Sequence, residues 1–476
     1  MTARMENVSE LQVEKTPIPG LLVVRIPVHE DSRGWFKENW QRTKMAALGL
    51  PDFGPVQNNV SFNSTRGTTR GIHAEPWDKY VSVASGAVFG AWVDLREGPT
   101  FGTVYSTTIN PSVAVYVPRG VGNAFQTLED ATAYSYLVND HWSAEATGEY
   151  TFLNLADPAS PIPWPIALDS AEVEMSDKDR SHPELSGVVP MPPRKVLVLG
   201  ANGQVGRALR KHAEAHGRTD LDFLTRAECD LWDGHCFDGI RWSAYRAVIN
   251  AAAFTAVDGA ETDEGRTRAW AVNAAAMARL AQVAAEHRVT VLGFSSDYVF
   301  DGETEVHTED EPLSPLGVYG QSKAAGDVAL QSVPQHYIVR TSWVIGEGAN
   351  FVRTMKNLCE RGVRPEVVDD QVGRLSFAQD LAAVALHLLD GDAPFGVYNV
   401  SSSGDPVSWA DIAADVFASV GGNRDAIRPV TTSQYFEGRD GVAPRPAHST
   451  FDLSKIRATG FEPADWRLRL DEYLRA

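Results

Sequence analysis

The sequence predicts a multidomain chain: an all-β domain followed by an α/β domain with a doubly wound parallel sheet. Three observations carry this. The 476 residues exceed what one hydrophobic core serves, so two or three domains are expected. From about Leu22 to Pro163, short apolar and polar steps alternate between Gly, Pro and Asn, the texture of many short strands in a sandwich or barrel. After Lys195 strand-like runs alternate with longer Ala-rich stretches, the texture of βαβ units.

In the first part, "KYVSVASGAVFGAWVDLREG" (79–98) and "TVYSTTINPSVAVYVPRG" (103–120) are period-two stretches broken by turn residues. The change of texture falls in "SGVVPMPPRK", with three prolines at 190–193, where a fixed φ and a missing N–H end helix and ladder alike. The boundaries read as a β domain over 1–187, a Pro-rich linker over 188–193 and an α/β domain over 194–476. In the second part "KVLVLG", "RAVINAAA", "TVLGFSS" and "HYIVRTSW" are strands, and "RTRAWAVNAAAMARLAQVAAEH" is a helix.

Composition narrows the class. Hydrophobic residues make up 43% and charged residues 22%, with a formal charge of −19. That acidity excludes a nucleic-acid backbone as the main partner, while a few local Arg and Lys suffice for a small phosphorylated ligand. No apolar run reaches the ~18 residues of a membrane span, and the N-terminus lacks the apolar core of a signal peptide. The three cysteines have neither CxxC nor metal-ligand spacing, so a reducing cytoplasm and no metal are expected.

Gly200, Gly203 and Gly206 form G-A-N-G-Q-V-G between a strand and a helix. Glycines let the backbone turn and approach a pyrophosphate, and the helix offers free N–H groups to it. About twenty residues on, where an acid often holds the ribose, stands Arg226. It suits a 2′-phosphate, which favours NADPH over NADH; a solvated surface arginine is the other reading. "SSDYVF" (295–300) precedes "VYGQSK" (318–323), so Tyr319 and Lys323 share one helix face. A neighbouring ammonium is expected to lower the phenol pKa, with Ser296 binding the substrate oxygen. Alone, the spacing is more simply a core tyrosine and a surface lysine. With the glycine loop and the upstream serine, it reads as proton donor, tuning lysine and orienting hydroxyl of a carbonyl reductase. In the β part, His73 follows a glycine between strand-like segments. It reads as a packing residue or as a base; a metal site would need close partners, and only Glu75 is near.

The second part, on "GANGQVGRAL", "NAAAFTAVDGAE", "VNAAAMARLA", "SSDYVFDG", "SPLGVYGQSKAAGD", "RTSWVIG" and "DDQVGRLS", resembles the extended short-chain dehydrogenases, and within them the dTDP-4-dehydrorhamnose reductases, over 194–476. The resemblance implies a Rossmann-type fold. It implies a cofactor held by Gly200, Asn202, Gly203, Gln204, Val205, Gly206, Arg226, Asp230, Ala251, Ala252, Ala253, Tyr319 and Lys323. Asp297 and Trp343 are implied to contact the substrate.

The first part, on "DSRGWFKENW", "QNNVS", "TRGIHAEPWDKYVSV" and "GPTFG", is similar to the dTDP-4-dehydrorhamnose 3,5-epimerases over about 8–185. That implies a cupin-like jelly roll without metal. His73 becomes a general base paired with Asp179 of "MSDKDRSHP", Tyr136 rather than Tyr134 the acid, and Lys79 the group that stabilises an enolate. Arg33, Glu38, Gln57, Asn59, Arg70, Lys79 and Lys178 become contacts to a nucleotide sugar. Two positions depart from the family: Asn123 stands for a histidine, with Arg119 close by, and Thr147 for a glutamate, with Glu145 and Glu149 beside it. A homodimer through the β domain is implied.

Together these imply a bifunctional enzyme: 3,5-epimerisation of dTDP-4-dehydro-6-deoxy-D-glucose, then NAD(P)H-dependent reduction of its 4-ketone to dTDP-L-rhamnose. The alternatives are a single-position epimerase with a reductase for another deoxysugar, and a regulatory nucleotide-sugar and NADP-binding protein without turnover.

Overall fold

The structure, a computed structural model, describes residues 8–142, 145–391 and 393–475, with backbone only at 145 and 146. The chain divides into two compact units between Pro193 and Arg194.

The first unit is built of short strands: β1 (Gln12–Lys15), β2 (Leu22–Arg25), β3 (His29–Asp31), β4 (Gly34–Phe36), β5 (Gln57–Asn63), β6 (Thr69–Ala74), β7 (Lys79–Ser85), β8 (Val88–Asp94), β9 (Val104–Ile109), β10 (Val113–Val117), β11 (Val121–Thr127), β12 (Thr132–Val138) and β13 (Thr151–Phe152). Two antiparallel sheets, β1-β2-β10-β7-β12-β5 and β13-β6-β11-β8-β9, form the jelly roll. Their inward side chains fill the core with Val23, Val81, Val83, Trp92, Val115, Phe125 and Tyr134. Each such side chain contributes about 1.5–3 kcal/mol of burial. Alternation is clean on the edge strand β5: Gln57, Asn59 and Ser61 turn inward, while Asn58, Val60 and Phe62 face out.

The segment 188–193 is not a loose tether. Met191 pairs through its backbone with Leu95 and Glu97 and is buried among Ile72, Leu95 and Leu153.

In the second unit β14 (Lys195–Leu199), β15 (Leu221–Leu224), β16 (Tyr245–Asn250), β17 (Thr290–Ser296), β18 (His336–Thr341) and the strand Gly396–Asn399 make one parallel sheet. Its order is β15-β14-β16-β17-β18 and then Gly396–Asn399. Apolar clusters cover both faces, as a doubly wound sheet requires. The order reverses at β14, which opens a crevice beyond the carboxyl ends of β14 and β16. The helix predicted over 266–287 is interrupted: Asp263–Trp270 and Ala276–His287 flank a π-helical stretch, Ala271–Ala275. Buried Asn273 in that stretch donates to the Phe254 carbonyl at 3.0 Å and to Ser322 Oγ at 3.1 Å. It thus ties the loop after β16 to the helix Val318–Gln331. Among the described residues no helix is long and apolar enough to cross a membrane.

Candidate active sites

In the first unit the site begins with a glycine. A Cβ on Gly71, whose φ is +119°, would lie 2.6 Å from the Ala124 Cβ and 2.7 Å from the Asn123 oxygen. Glycine lets β6 press against β11, and two residues on His73 faces Asn123. His73 Nε2 lies 2.9 Å from Asp179 Oδ1. Asp179 sits on the short helix Asp177–Arg180, where its N–H donates to the Ser176 cap. Burial opposes the Asp179 charge, but the bond to and charge of His73, with the Ser176 hydrogen bond, hold its carboxyl below the usual range.

A run of rings leads from this dyad to the second polar group. His73 packs edge-on against Phe152, which meets Tyr150, which meets Trp77. Trp77 Nε1 donates to Glu75 Oε2 at 2.7 Å, and Glu75 Oε1 lies 2.6 Å from Lys79 Nζ. Lys79 sits 5.6 Å from the centre of the Tyr136 ring, on the next strand of its sheet. Tyr136 is partly exposed, whereas the buried Tyr134 donates to Asn123 Oδ1 at 3.1 Å. Burial first, then Glu75, raises the Tyr136 phenol, against the pull of Arg70.

The other expected contacts divide. Gln57 donates to Asn59 Oδ1 at 2.8 Å on the inner face of β5, and Asn59 stands opposite Tyr136. Arg70 donates to Asn63. The exposed Lys178 lies over Phe152. Arg33 and Glu38 are engaged elsewhere, with Asp31 and Lys44. Arg119 donates to the Pro192 carbonyl. The Glu145 side chain lies outside the described residues. Sequence reasoning missed His182, which stacks on Phe152 and meets His73 edge-on. His73, Asp179 and His182 bring three potential ligand atoms within 4.8 Å of one another, the one such group among the described residues. The short imidazole–carboxylate contact within it is that of a hydrogen-bonded dyad.

The second site lies at the switch point of the parallel sheet. Gly200 (φ +81°) follows β14, and a Cβ there would lie 2.7 Å from the Ala252 N; one on Gly206 would lie 2.3 Å from the Gly200 oxygen. Gly203 caps the helix Gln204–Ala215 without a side-chain hydrogen bond, so the first N–H groups open into the cleft. The cleft holds about 600 Å³ and is lined by Gly200, Gly203, Gln204, Val205, Arg226, Asp230, Ala251, Ala252, Ala253, Tyr319 and Lys323. Asn202 is exposed on the turn. Arg226 pairs with Asp230 at 3.2 Å and is largely exposed. The sequence did not mark Trp232 and Arg268, which also line the cleft, the cation lying over the indole ring.

At the inner end of the cleft Tyr319 and Lys323 share the helix Val318–Gln331. Ser296 ends β17, hydrogen-bonds Tyr319 and donates to Asp297 Oδ1 at 2.9 Å. Lys323 Nζ donates to the Phe294 carbonyl at 2.7 Å. The expected lowering of the phenol is not what the structure holds. Burial pushes Tyr319 up to about 12, opposed by Ser296 and reinforced by Asp297 and Asp327. Burial also lowers Lys323, opposed by Asp327. The phenol therefore keeps its proton, the form a proton donor needs.

Tyr298 meets Tyr319 edge-on at 5.4 Å and opens a second cavity of about 360 Å³. Asp297 and Trp343, both expected, line it, together with Gln371, Trp409, Phe436 and Arg445. Trp343 has φ +48°, rare for a bulky residue. Its ring stacks on Trp409 at 3.8 Å. Arg445 pairs with Asp258 at 2.8 Å. Of Gln371, Trp409, Phe436 and Arg445, only Gln371 lay in a motif the sequence offered.

A jelly roll with a histidine–carboxylate dyad and a parallel sheet with a Ser-Tyr-Lys set define a protein of two enzyme-like units. Comparison with known proteins says which. Residues 15–187 match the family model "dTDP-4-dehydrorhamnose 3,5-epimerase", and residues 194–476 match "RmlD substrate binding domain". An RmlC homolog of Streptococcus pyogenes is 53% identical over 182 residues, covering 37% of this chain and 90% of its own length. A dTDP-4-dehydrorhamnose reductase of Aggregatibacter actinomycetemcomitans is 36% identical over 292 residues, covering 58% and 97%. The solved dTDP-4-dehydrorhamnose reductase of Bacillus anthracis, in complex with NADP, is 28% identical, covers 60% of this chain and 99% of its own, and superposes with a TM-score of 0.54. The chain belongs to both families, the epimerase family in its first unit and the reductase family in its second.

Proposed function

We propose that this chain converts dTDP-4-dehydro-6-deoxy-D-glucose to dTDP-L-rhamnose in two steps, one per unit. The observation that supports this is a His73–Asp179 contact in one unit and Ser296, Tyr319 and Lys323 brought together in the other, each in a unit of the matching family.

In the first unit, Nε2 of His73 faces Asp179, which leaves Nδ1 as the basic nitrogen. Carbons 3 and 5 flank the ketone and are acidified by it. His73 takes a proton from each in turn, and Asp179 stabilises the imidazolium. The Lys79 ammonium stabilises the enolate oxygen. Tyr136 returns a proton. His73 and Tyr136 stand on different sheets, on β6 and β12, which suits delivery to the opposite face of the sugar. Gln57, Asn59, Arg70 and Lys178 serve the nucleotide sugar from this chain.

The second cleft fits a dinucleotide on its own residues: a turn that admits only glycine at Gly200, an uncapped helix N-terminus, and the buried Gln204 Oε1 without a hydrogen-bond partner. When bound, reduced NADP supplies the hydride to carbon 4. Tyr319 protonates the ketone oxygen, Ser296 orients it, and Lys323 stands ready to stabilise the phenolate once formed. Arg226 and Arg268 give the cleft the positive charge that a 2′-phosphate needs, so NADPH is preferred over NADH. Trp343 and Asp297 hold the sugar end of the substrate.

The outward Val60 and Phe62 of β5, each 62% exposed, support a homodimer through the first unit. Three free thiols support a cytoplasmic setting.

The test mixes purified protein with dTDP-4-dehydro-6-deoxyglucose and NADPH, follows nicotinamide absorbance and identifies the sugar by NMR. Oxidation of NADPH with dTDP-L-rhamnose as product is expected. Deuterium entering carbons 3 and 5 from solvent without NADPH oxidation would overturn the reductase half. A 6-deoxysugar inverted at one carbon would overturn double epimerisation.

A further inference from the structure

The buried pair Glu75–Lys79 is unused by the mechanism above except through its lysine. Lys79 is 5% exposed, and its ammonium has one carboxylate partner, Glu75 Oε1 at 2.6 Å. The other oxygen of that carboxylate is fixed by the Trp77 indole at 2.7 Å, and Trp77 is held edge-on by Tyr150. His73, Glu75, Trp77 and Lys79 fall at alternate positions of one short segment. Thus the segment that carries the base also carries the counter-charge and its brace.

We propose that Glu75 is a positioning residue of the epimerase site: it keeps Lys79 an ammonium inside the protein and aims it, with Trp77 as the anchor, beside Tyr136. The inference rests on the epimerase reading of the first unit. The physical reason is desolvation. A lysine buried without a counter-charge gives up its proton, and a neutral amine does not stabilise an enolate as an ammonium does. Glu75 supplies that charge without blocking the lysine, because one carboxylate oxygen takes the indole and one takes the ammonium. Among the described residues Glu75 acts on Tyr134 and Tyr136 of β12 and on Tyr150 before β13, and Arg70 of β6 acts on Tyr136. Arg70 is a cation and burial keeps the three phenols protonated, so none of these neighbours supplies an anion in place of Glu75.

The experiment measures solvent deuterium entering carbons 3 and 5 of dTDP-4-dehydro-6-deoxyglucose, as a function of pH, in the full-length chain. For Glu75→Gln we expect exchange to fall at neutral pH and the alkaline limb to move acidward by about one pH unit or more, with activity partly recovered on the acid side. Glu75→Gln/Lys79→Arg carries a cation that cannot deprotonate, and its alkaline limb should return toward the wild-type position. Trp77→Phe keeps the carboxylate and loses one anchor, so it should shift the limb in the same direction but less. This variant tests the idea even if Glu75→Gln does not fold. Equal loss at every pH in both Glu75→Gln and Trp77→Phe would mean a purely structural role and would overturn the inference. A wild-type chain that exchanges neither proton would overturn the epimerase reading, and this inference with it.

Discussion

At the scale of single residues, burial decides the chemistry. Tyr319 and Lys323 were legible from their spacing of four, but their titration was not. A sequence shows that an ammonium is near; it does not show that both groups lie out of water. Burial raises the phenol to about 12 and so makes Tyr319 a donor that does not lose its proton before substrate arrives. Tyr319→Phe should therefore lower reduction by roughly 10²–10⁴-fold while leaving NADPH binding, measured by fluorescence, within a small factor of wild type. Asp179 has the opposite sign. Its folded pKa is depressed, so its contribution to stability is complete above the ordinary carboxylate range and is lost as pH falls through the lower folded value. Urea unfolding followed down an acid series should show wild type losing more stability than Asp179→Asn; parallel curves would refute this. Asp179 was accessible only through family resemblance, since nothing in "MSDKDRSHP" by itself points at a histidine 106 residues away.

At the scale of elements, short runs between turn residues located the strands well, although only β5 alternates cleanly between a wet and a dry face, while β8 and β10 are buried almost throughout. The strands at 79–85, 88–94, 104–109 and 113–117 fall inside the two alternating stretches. The π-helical stretch at Ala271–Ala275 was invisible: the hydrogen bonds of Asn273 within it reach a loop and a helix distant in sequence. The second cavity was hidden for the same reason. Trp409 and Arg445 reach Trp343 and Asp258 from elsewhere in the chain, and no local motif records such contacts. The edge strand β5 makes a prediction of its own. Its outward face carries Val60 and Phe62, and replacing both with Glu should shift the mass measured by light scattering from dimer to monomer. A monomeric wild type would refute the assembly.

At the scale of the whole molecule, the two sets of reactive groups belong to separately folded units, so their activities should be separable. His73→Ala should stop deuterium exchange and leave the second unit able to reduce pre-epimerised ketone. Mixing His73→Ala with Tyr319→Phe should restore dTDP-L-rhamnose formation, because the intermediate passes through solution between chains. If the mixture stays inactive while each variant keeps its remaining activity, the intermediate does not exchange between chains. The dyad also bears on how the chain is made. The contact between His73 and Asp179 joins β6, the sixth strand of the first unit, to a helix near its end, and both precede the first strand of the second unit. On the ribosome, then, the site for the first reaction can close while the residues for the second are still being translated. The order of synthesis repeats the order of the chemistry.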